Sequence, residues 1–238
     1  MDCILGRGPK YVFKNAKLRK YFKEVSMHSY WSGADTKKNA ENYFSDKYSK
    51  YSVAATEYCQ MTDDKNTGVY DLIAKEKNGT NGTSIKYGVA MANTIVDDLT
   101  IMNANEWDWW TACSYGTYTD GLIYLDEDNH ENLDFSKRYY CLGNFSKFIK
   151  EGAVRVACSS GVKNVRSVAF VNEDNTVVTV YVNNNDKKAY TTIDCEGDYA
   201  VYTTDRDNDI AKTDFGKAKK VKVSLPASSV VTVVYEAK

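Results

Sequence analysis

Ser52-Val53-Ala54-Ala55-Thr56-Glu57-Tyr58-Cys59 is a run of small and β-branched residues that delivers a single carboxylate between a threonine and an aromatic. A short apolar run of this kind reads as a strand buried on both faces, the pattern of a parallel sheet covered by helices. Upstream of it, Val25–Trp31 reads as a second strand with a polar and aromatic end, His28-Ser-Tyr30-Trp31. Between the two, residues 36–50 carry a helical period on Ala40, Tyr43, Phe44 and Lys47–Tyr48, with Asp35 or Thr36 as N-cap. Downstream, the Asn-Gly-Thr-Asn-Gly-Thr stretch at 78–83 marks turns, and Ile85, Val89, Ala92, Val96 and Leu99 follow at spacings of 4, 3, 4 and 3, an amphipathic helix over 84–103. Glu106–Ala112 reads as a third strand, 113–135 as a long loop and Ser136–Ile149 as a closing helix. This alternation is the grammar of a parallel β/α fold.

Beyond Gly152 the helices stop. Alternating runs stand at Val154–Ala157, Val165–Val171, Val177–Val182, Tyr190–Ile193, Tyr199–Thr203, Val221–Leu225 and Val230–Tyr235, with Asn- and Asp-rich turns between them. Their spacing is that of an antiparallel β-sandwich. The chain therefore divides into an α/β part, residues 1–151, and an all-β part, residues 152–238.

The 238 residues are 43% apolar and 26% charged, which excludes disorder, collagen and coiled coil. With a formal charge of -1, the chain offers no whole-molecule footprint for nucleic acid or an anionic membrane. The 19 Tyr, 8 Phe and 4 Trp stand against 2 His and 2 Pro, and aromatics in polar company suit flat, uncharged ligands such as sugar rings. Cysteines 3, 59, 113, 141, 158 and 195 are too widely spaced for zinc pairs and read as small apolar residues, so neither a metal nor a cofactor is expected. The first residues lack the basic and apolar regions of a signal peptide, and no run of 18 apolar residues occurs, so no export or anchoring signal is read in this chain.

Polar and aromatic residues at the ends of three successive strands are what a piece of a (β/α)8 barrel presents, since catalytic groups there stand at the C-terminal strand ends. The ends are His28–Trp31, Thr56–Cys59 and Trp107–Trp110. Glu57, ending an apolar strand, is either a nucleophile or general base, or a solvated residue at a strand exit.

Six stretches, in order, carry a resemblance: His28-Ser-Tyr-Trp31, Thr56-Glu-Tyr-Cys59, Asp98-Leu99, Glu106-Trp-Asp-Trp-Trp110, Asp120-Gly-Leu-Ile-Tyr124 and Lys137-Arg-Tyr-Tyr-Cys-Leu-Gly-Asn-Phe-Ser-Lys-Phe-Ile149. In them the chain resembles glycoside hydrolase family 30, retaining enzymes with a (β/α)8 barrel and a side β-sandwich. The resemblance implies that His28–Trp31, Glu57 and Glu106–Ala112 belong to barrel strands 6, 7 and 8, with Glu57 the nucleophile. It implies that Tyr30 holds that nucleophile ionised and oriented, and that His28 is a hydrogen-bonding residue beneath the site. Trp110 would floor the subsite of the cleaved sugar, Trp107 and Trp109 would be core or platform, and Trp31, Tyr115 and Tyr118 would stack at the rim.

A complete barrel takes about 250 residues, and only 151 precede the sandwich here. The acid/base of the family, a Glu after Asn at the end of strand 4, has no counterpart upstream of His28; Asn105-Glu106 and Asn172-Glu173 are in the wrong places for it. The expectation is the C-terminal portion of a retaining glycosidase acting on β-linked plant cell-wall polysaccharide, xylan or β-1,6-linked galactan or glucan. Full-length family members would be secreted. The alternative is a non-catalytic carbohydrate-binding or truncated, inactive fragment. Residues 113–135 hold no Lys or Arg, which disfavours glucuronate side chains. Three strands without the rest of a barrel would leave open edges and an apolar face, so an oligomer or a missing N-terminal barrel half is the expected partner.

Overall fold

The computed structural model describes residues 14–61, 65, 83–115, 118–126, 129 and 132–236. The chain has three Asn-x-Ser/Thr sequons, at Asn78, Asn81 and Asn144; the first two, with the turn stretch at 78–82, Cys3 and the side chains of Lys47 and Tyr48, lie outside the described residues.

A short helix α1 (Ala16–Arg19) precedes strand β1 (Glu24–His28), helix α2 (Ala34–Tyr48), strand β2 (Ser52–Glu57), helix α3 (Ile85–Thr100) and strand β3 (Glu106–Trp107). The three strands form one parallel sheet in the order β1-β2-β3. Val25 and Met27 alternate with Glu24 and Ser26, so that β1 turns its apolar side chains, with Val53 and Ala55 of β2, onto Ala40 and Phe44 of α2. Its other face carries Glu24 and the exposed Ser26, so that side of β1 is polar, while Leu18, Tyr21 and Phe22 just before the strand are exposed.

Several boundaries differ from the sequence reading. Helix α2 starts at Ala34 with Gly33 as N-cap, and Asp35 lies inside the first turn, where its carboxylate faces the positive end of the helix. Strand β3 stops at Trp107 instead of Ala112, because the backbone beyond it changes partners: Thr111 N–H donates to Asp120 O (3.0 Å) and Ile123 N–H to Ala112 O (2.9 Å). The expected long loop thereby becomes a small sheet of β4 (Cys113–Tyr115), β5 (Ile123–Leu125) and β6 (Leu133–Phe135). Ser114 Oγ closes the β4–β5 connection on Asp120 Oδ1 at 2.6 Å.

Helix α4 (Lys137–Ser146) packs on α3 where Gly88 permits close approach, since a side chain there would meet Cys141 Sγ at 2.6 Å. It leads into β7 (Val154–Val156), β8 (Val165–Val171), β9 (Thr176–Asn183), β10 (Ala189–Thr204), β11 (Ala211–Leu225) and β12 (Ser229–Glu236), an antiparallel sheet ordered β11-β10-β12-β9-β8-β7. Seven apolar runs thus become six strands. Tyr190–Ile193 and Tyr199–Thr203 are halves of one strand, β10, and Val221–Leu225 is the end of β11. The polar stretches between the runs stay in the ladder because Asp194 faces Lys220 and Asp198 faces Lys217, each pair 3.6 Å apart.

The valine alternation of the central strands feeds two cores. Val178, Val180, Val182 and Val230, with Val168 and Phe170, pack against Val89, Ala92, Val96 and Leu99 of α3 and Cys141 and Phe145 of α4. Tyr181, Val231 and Val233 face the other way, onto Ile193, Cys195, Val221, Val223 and Leu225. The far halves of β10 and β11 therefore close the sandwich over the inner face. Asn144 is fully buried at the α4 junction. Its amide donates to Thr232 Oγ1 (2.9 Å) and accepts from Thr204 Oγ1 (2.5 Å), while Thr232 Oγ1 donates to its carbonyl (2.7 Å). Among the described cysteines none is in a disulfide.

Candidate active site

Strands β1 and β2 run in parallel and end at the same edge of their sheet, which brings the His28–Trp31 and Glu57–Cys59 segments together. The register runs Met27↔Ala55 and then His28↔Glu57, so β2 carries one extra residue, Thr56. This bulge turns Glu57 toward the end of β1.

Glu57 is partly exposed, and both of its described contacts fall on one oxygen. Tyr30 donates its hydroxyl to Oε1 at 3.0 Å, and His28 Nδ1 lies 3.5 Å from the same atom. Oε2 takes no hydrogen bond or ion pair among the described residues. His28 was expected beneath the site; it stands beside the carboxylate instead, its side chain 44% exposed. Tyr30 also points its hydroxyl at Cys59 Sγ, 3.7 Å away. Burial, then Cys59, then Glu57 hold the Tyr30 phenol well above the usual tyrosine range, so it remains a donor. Burial likewise pushes the Cys59 thiol up, against the Tyr30 hydrogen bond, which lowers it.

Aromatic rings support this pair from behind. Tyr58, completely buried, stacks on Tyr30 with centroids 5.5 Å apart and meets Trp107 and Trp109 at 6.0 and 6.1 Å. Trp107 and Trp109 are therefore supporting residues. Trp31 sits at φ 51, a conformation costing a bulky residue about 1–3 kcal/mol, with its ring 5.6 Å from that of Tyr30. Trp110 is 54% exposed, and its N–H donates to Tyr58 O at 3.0 Å, which fixes it one residue beyond Glu57 on the neighbouring strand end. Tyr115 and Tyr118 lie exposed on β4 and the segment after it, and neither is among the described partners of Glu57.

Two buried arrangements escaped the sequence reading. Asp98 on α3 pairs with Lys37 of α2 at 2.8 Å, accepts from Ser29 Oγ at 2.8 Å and from Trp107 Nε1 at 2.9 Å, and is sealed from water together with Lys37. It ties the end of β1, β3 and both helices together. The signal was a carboxylate on the apolar stripe of α3, beside Leu99 and three residues after Ile95. Arg138 of α4 is the second. It donates to Gln60 Oε1 (2.9 Å), Gly121 O (2.9 Å) and Tyr124 Oη (2.6 Å), with its guanidinium 5.4 Å over the Trp109 ring. It joins the exit of β2 to the segment after β3. No group of three or more metal-ligating side chains occurs among the described residues.

Residues 6–124 match the family model for O-Glycosyl hydrolase family 30, and residues 152–233 match that of the glycosyl hydrolase family 30 beta sandwich domain. The fold is similar to that of a GH30 endoxylanase from Clostridium papyrosolvens C71, with a TM-score of 0.76 at 20% identity, over 99% of this chain and 54% of that one. A family 30 subfamily 8 xylanase from Clostridium acetobutylicum gives 0.70 at 22% identity over 95% and 52%. An endo-beta1,6-glucanase gives 0.59 at 15% identity over 97% and 44%. The chain spans about half the length of these structures. Its parallel sheet and helices correspond to part of a barrel, joined to the sandwich by α4, and the chain belongs to glycoside hydrolase family 30.

Proposed function

We propose that the chain carries the nucleophile side of a retaining β-glycosidase site, with Glu57 as nucleophile. The observation that carries this reading is the Tyr30–Glu57 hydrogen bond of 3.0 Å at the ends of two parallel strands. With Oε1 engaged by Tyr30 and His28, Oε2 attacks the anomeric carbon, and the glycosidic bond breaks as the Glu57 ester forms. The departing oxygen takes its proton from a second carboxylic acid about 5–5.5 Å from the nucleophile, supplied by residues outside this chain. Water then attacks the same carbon and releases Glu57. Trp110, half-exposed and bonded through its backbone to Tyr58, the residue after Glu57, is the platform for the sugar being cleaved. Trp31, Tyr115 and Tyr118 extend the rim.

The substrate is a neutral β-linked polysaccharide, xylan or a β-1,6-linked galactan or glucan. The xylanase and β1,6-glucanase relatives support this choice. So does the absence of Lys and Arg from 113–135; of the next cations in sequence, Lys137 is paired with Asp209 and Arg138 is consumed in the core. Such polymers lie outside the cell, which places the working protein there. The edge strands β1 and β3 each pair only with β2 among the described strands, and they are where a missing barrel half or a second copy would attach.

A 2-fluoro glycoside with a good leaving group tests the assignment, because it needs no acid to depart. Mass spectrometry should find the sugar on Glu57. A label elsewhere, or equal labelling of Glu57→Gln, would remove Glu57 from the mechanism.

A further inference from the structure

Where α4 ends, a groove of about 410 Å³ opens on the sandwich, lined by none of the residues around Glu57. Phe148 and Tyr202, with ring centroids 4.5 Å apart, line it together with Phe215, which is 70% exposed. Lys212 Nζ lies 5.8 Å over the Tyr202 ring and 5.2 Å over Phe215. Asp198 and Glu236 line the same groove. Glu236 lies across β10 only because Gly197, at φ +126, has no side chain where its carboxylate sits.

We infer that this groove is a second glycan-binding site, a surface platform for a neutral β-linked chain. Aromatic rings stack on the apolar faces of pyranoses, and Phe215, largely exposed in a groove it shares with Phe148 and Tyr202, offers such a ring. The polar groups carry both signs. Asp198 is paired with Lys217 at 3.6 Å, and Lys212 offsets Glu236, so the charges at the groove cancel and select neither an anion nor a cation. A ligand with many hydroxyls and no charge satisfies donors and acceptors alike. The site is independent of the role given to Glu57. It would hold polymer on the protein without cleaving it.

The test uses the full chain with β-1,4-xylohexaose and a β-1,6-linked glucohexaose as separate probes, read by amide chemical shifts. Resonances of residues 198–202, 212–216 and 234–236 should move with one probe or both. Phe215→Ala, which removes an exposed ring from a surface strand and should leave the melting curve unchanged, weakens binding about tenfold. Glu57→Gln and Trp110→Ala leave these shifts intact. Absence of groove shifts with both probes overturns the inference, as does binding that survives Phe215→Ala or is lost in Trp110→Ala. Self-association of the chain that Phe215→Ala abolishes would assign the patch to a second copy and overturn it equally. The 2-fluoro labelling of Glu57 is read separately, so either site can fail alone.

Discussion

His28 stands opposite Glu57, not opposite Thr56, because β2 gains one residue on β1 at the point where both strands end. In a regular parallel ladder successive side chains alternate between faces, and one added residue reverses which face the next side chain takes. The bulge therefore decides that Glu57, rather than Thr56, meets the Tyr30 hydroxyl. The carboxylate is aimed by backbone register and then held by a side chain that burial keeps protonated.

Tyr30→Phe should leave the fold in place, since the ring packing on Tyr58 survives, while removing the donor on Oε1. A hydrogen bond to a charged group contributes about 1.5–3 kcal/mol, so labelling of Glu57 by the 2-fluoro glycoside should slow roughly ten- to a hundredfold. An unchanged rate would mean that Tyr30 does nothing for the carboxylate.

Asp98→Ala should be among the most damaging single changes. It strands the Lys37 ammonium in a site closed to water and leaves Ser29 Oγ and Trp107 Nε1 without their acceptor. Removing one partner of a buried pair costs about 3–5 kcal/mol. Pairing it with Lys37→Met should restore part of the urea midpoint but not all, because the other two donors remain unpaired. Full recovery in the double variant would show that the charge alone matters.

Asn144→Ala separates the two parts of the chain at their junction. Thr204 Oγ1 loses its side-chain acceptor, while Thr232 Oγ1 loses the amide donor but keeps the backbone carbonyl of residue 144, at a cost of about 1–3 kcal/mol. Its amide is also the reason the sequon at 144–146 cannot carry a glycan in the folded state: the nitrogen is buried and already bonded. Glycan found on Asn144 of folded protein would contradict this.

Strands β1 and β2 and helix α3 were legible because burial imposes a period on the residues that pay its entropic cost, and Ile85, Val89, Ala92, Val96 and Leu99 keep that period through the whole helix. The polar middles of β10 and β11 were not. Asp194, Glu196 and Lys217 read as turn or surface residues, and only the partner strand makes them a ladder. Within the site, Glu57 and Tyr30 are conspicuous at strand ends and the structure brings them together. Thr56 as a bulge, Lys37 as the partner of Asp98 and the Arg138 cage were hidden for one reason. Each depends on which distant residue folds next to it, and a single sequence carries no record of that. Arg138 was further disguised by type, since an arginine in a polar helix reads as solvated.

Complete burial pushes the Cys141 thiol well above its usual range, and burial, with Cys158 and Tyr235 nearby, does the same to the Tyr181 phenol. Both groups hold their protons more tightly folded than unfolded. Where the unfolded chain has lost protons that the native state keeps, stability falls as pH rises. The contribution of these groups is therefore complete below the unfolded thiol value of about 8.5, and it is lost progressively above it, with the phenol joining near pH 10. Urea midpoints measured from pH 7 to 11 should be steady at first and then descend. Cys141→Ala should flatten the descent between about pH 8.5 and 10, and Tyr181→Phe the part above about pH 10. Descents that match the parent in both variants would mean that the unfolding seen at high pH is set by other groups, and that these two side chains meet water in the native protein.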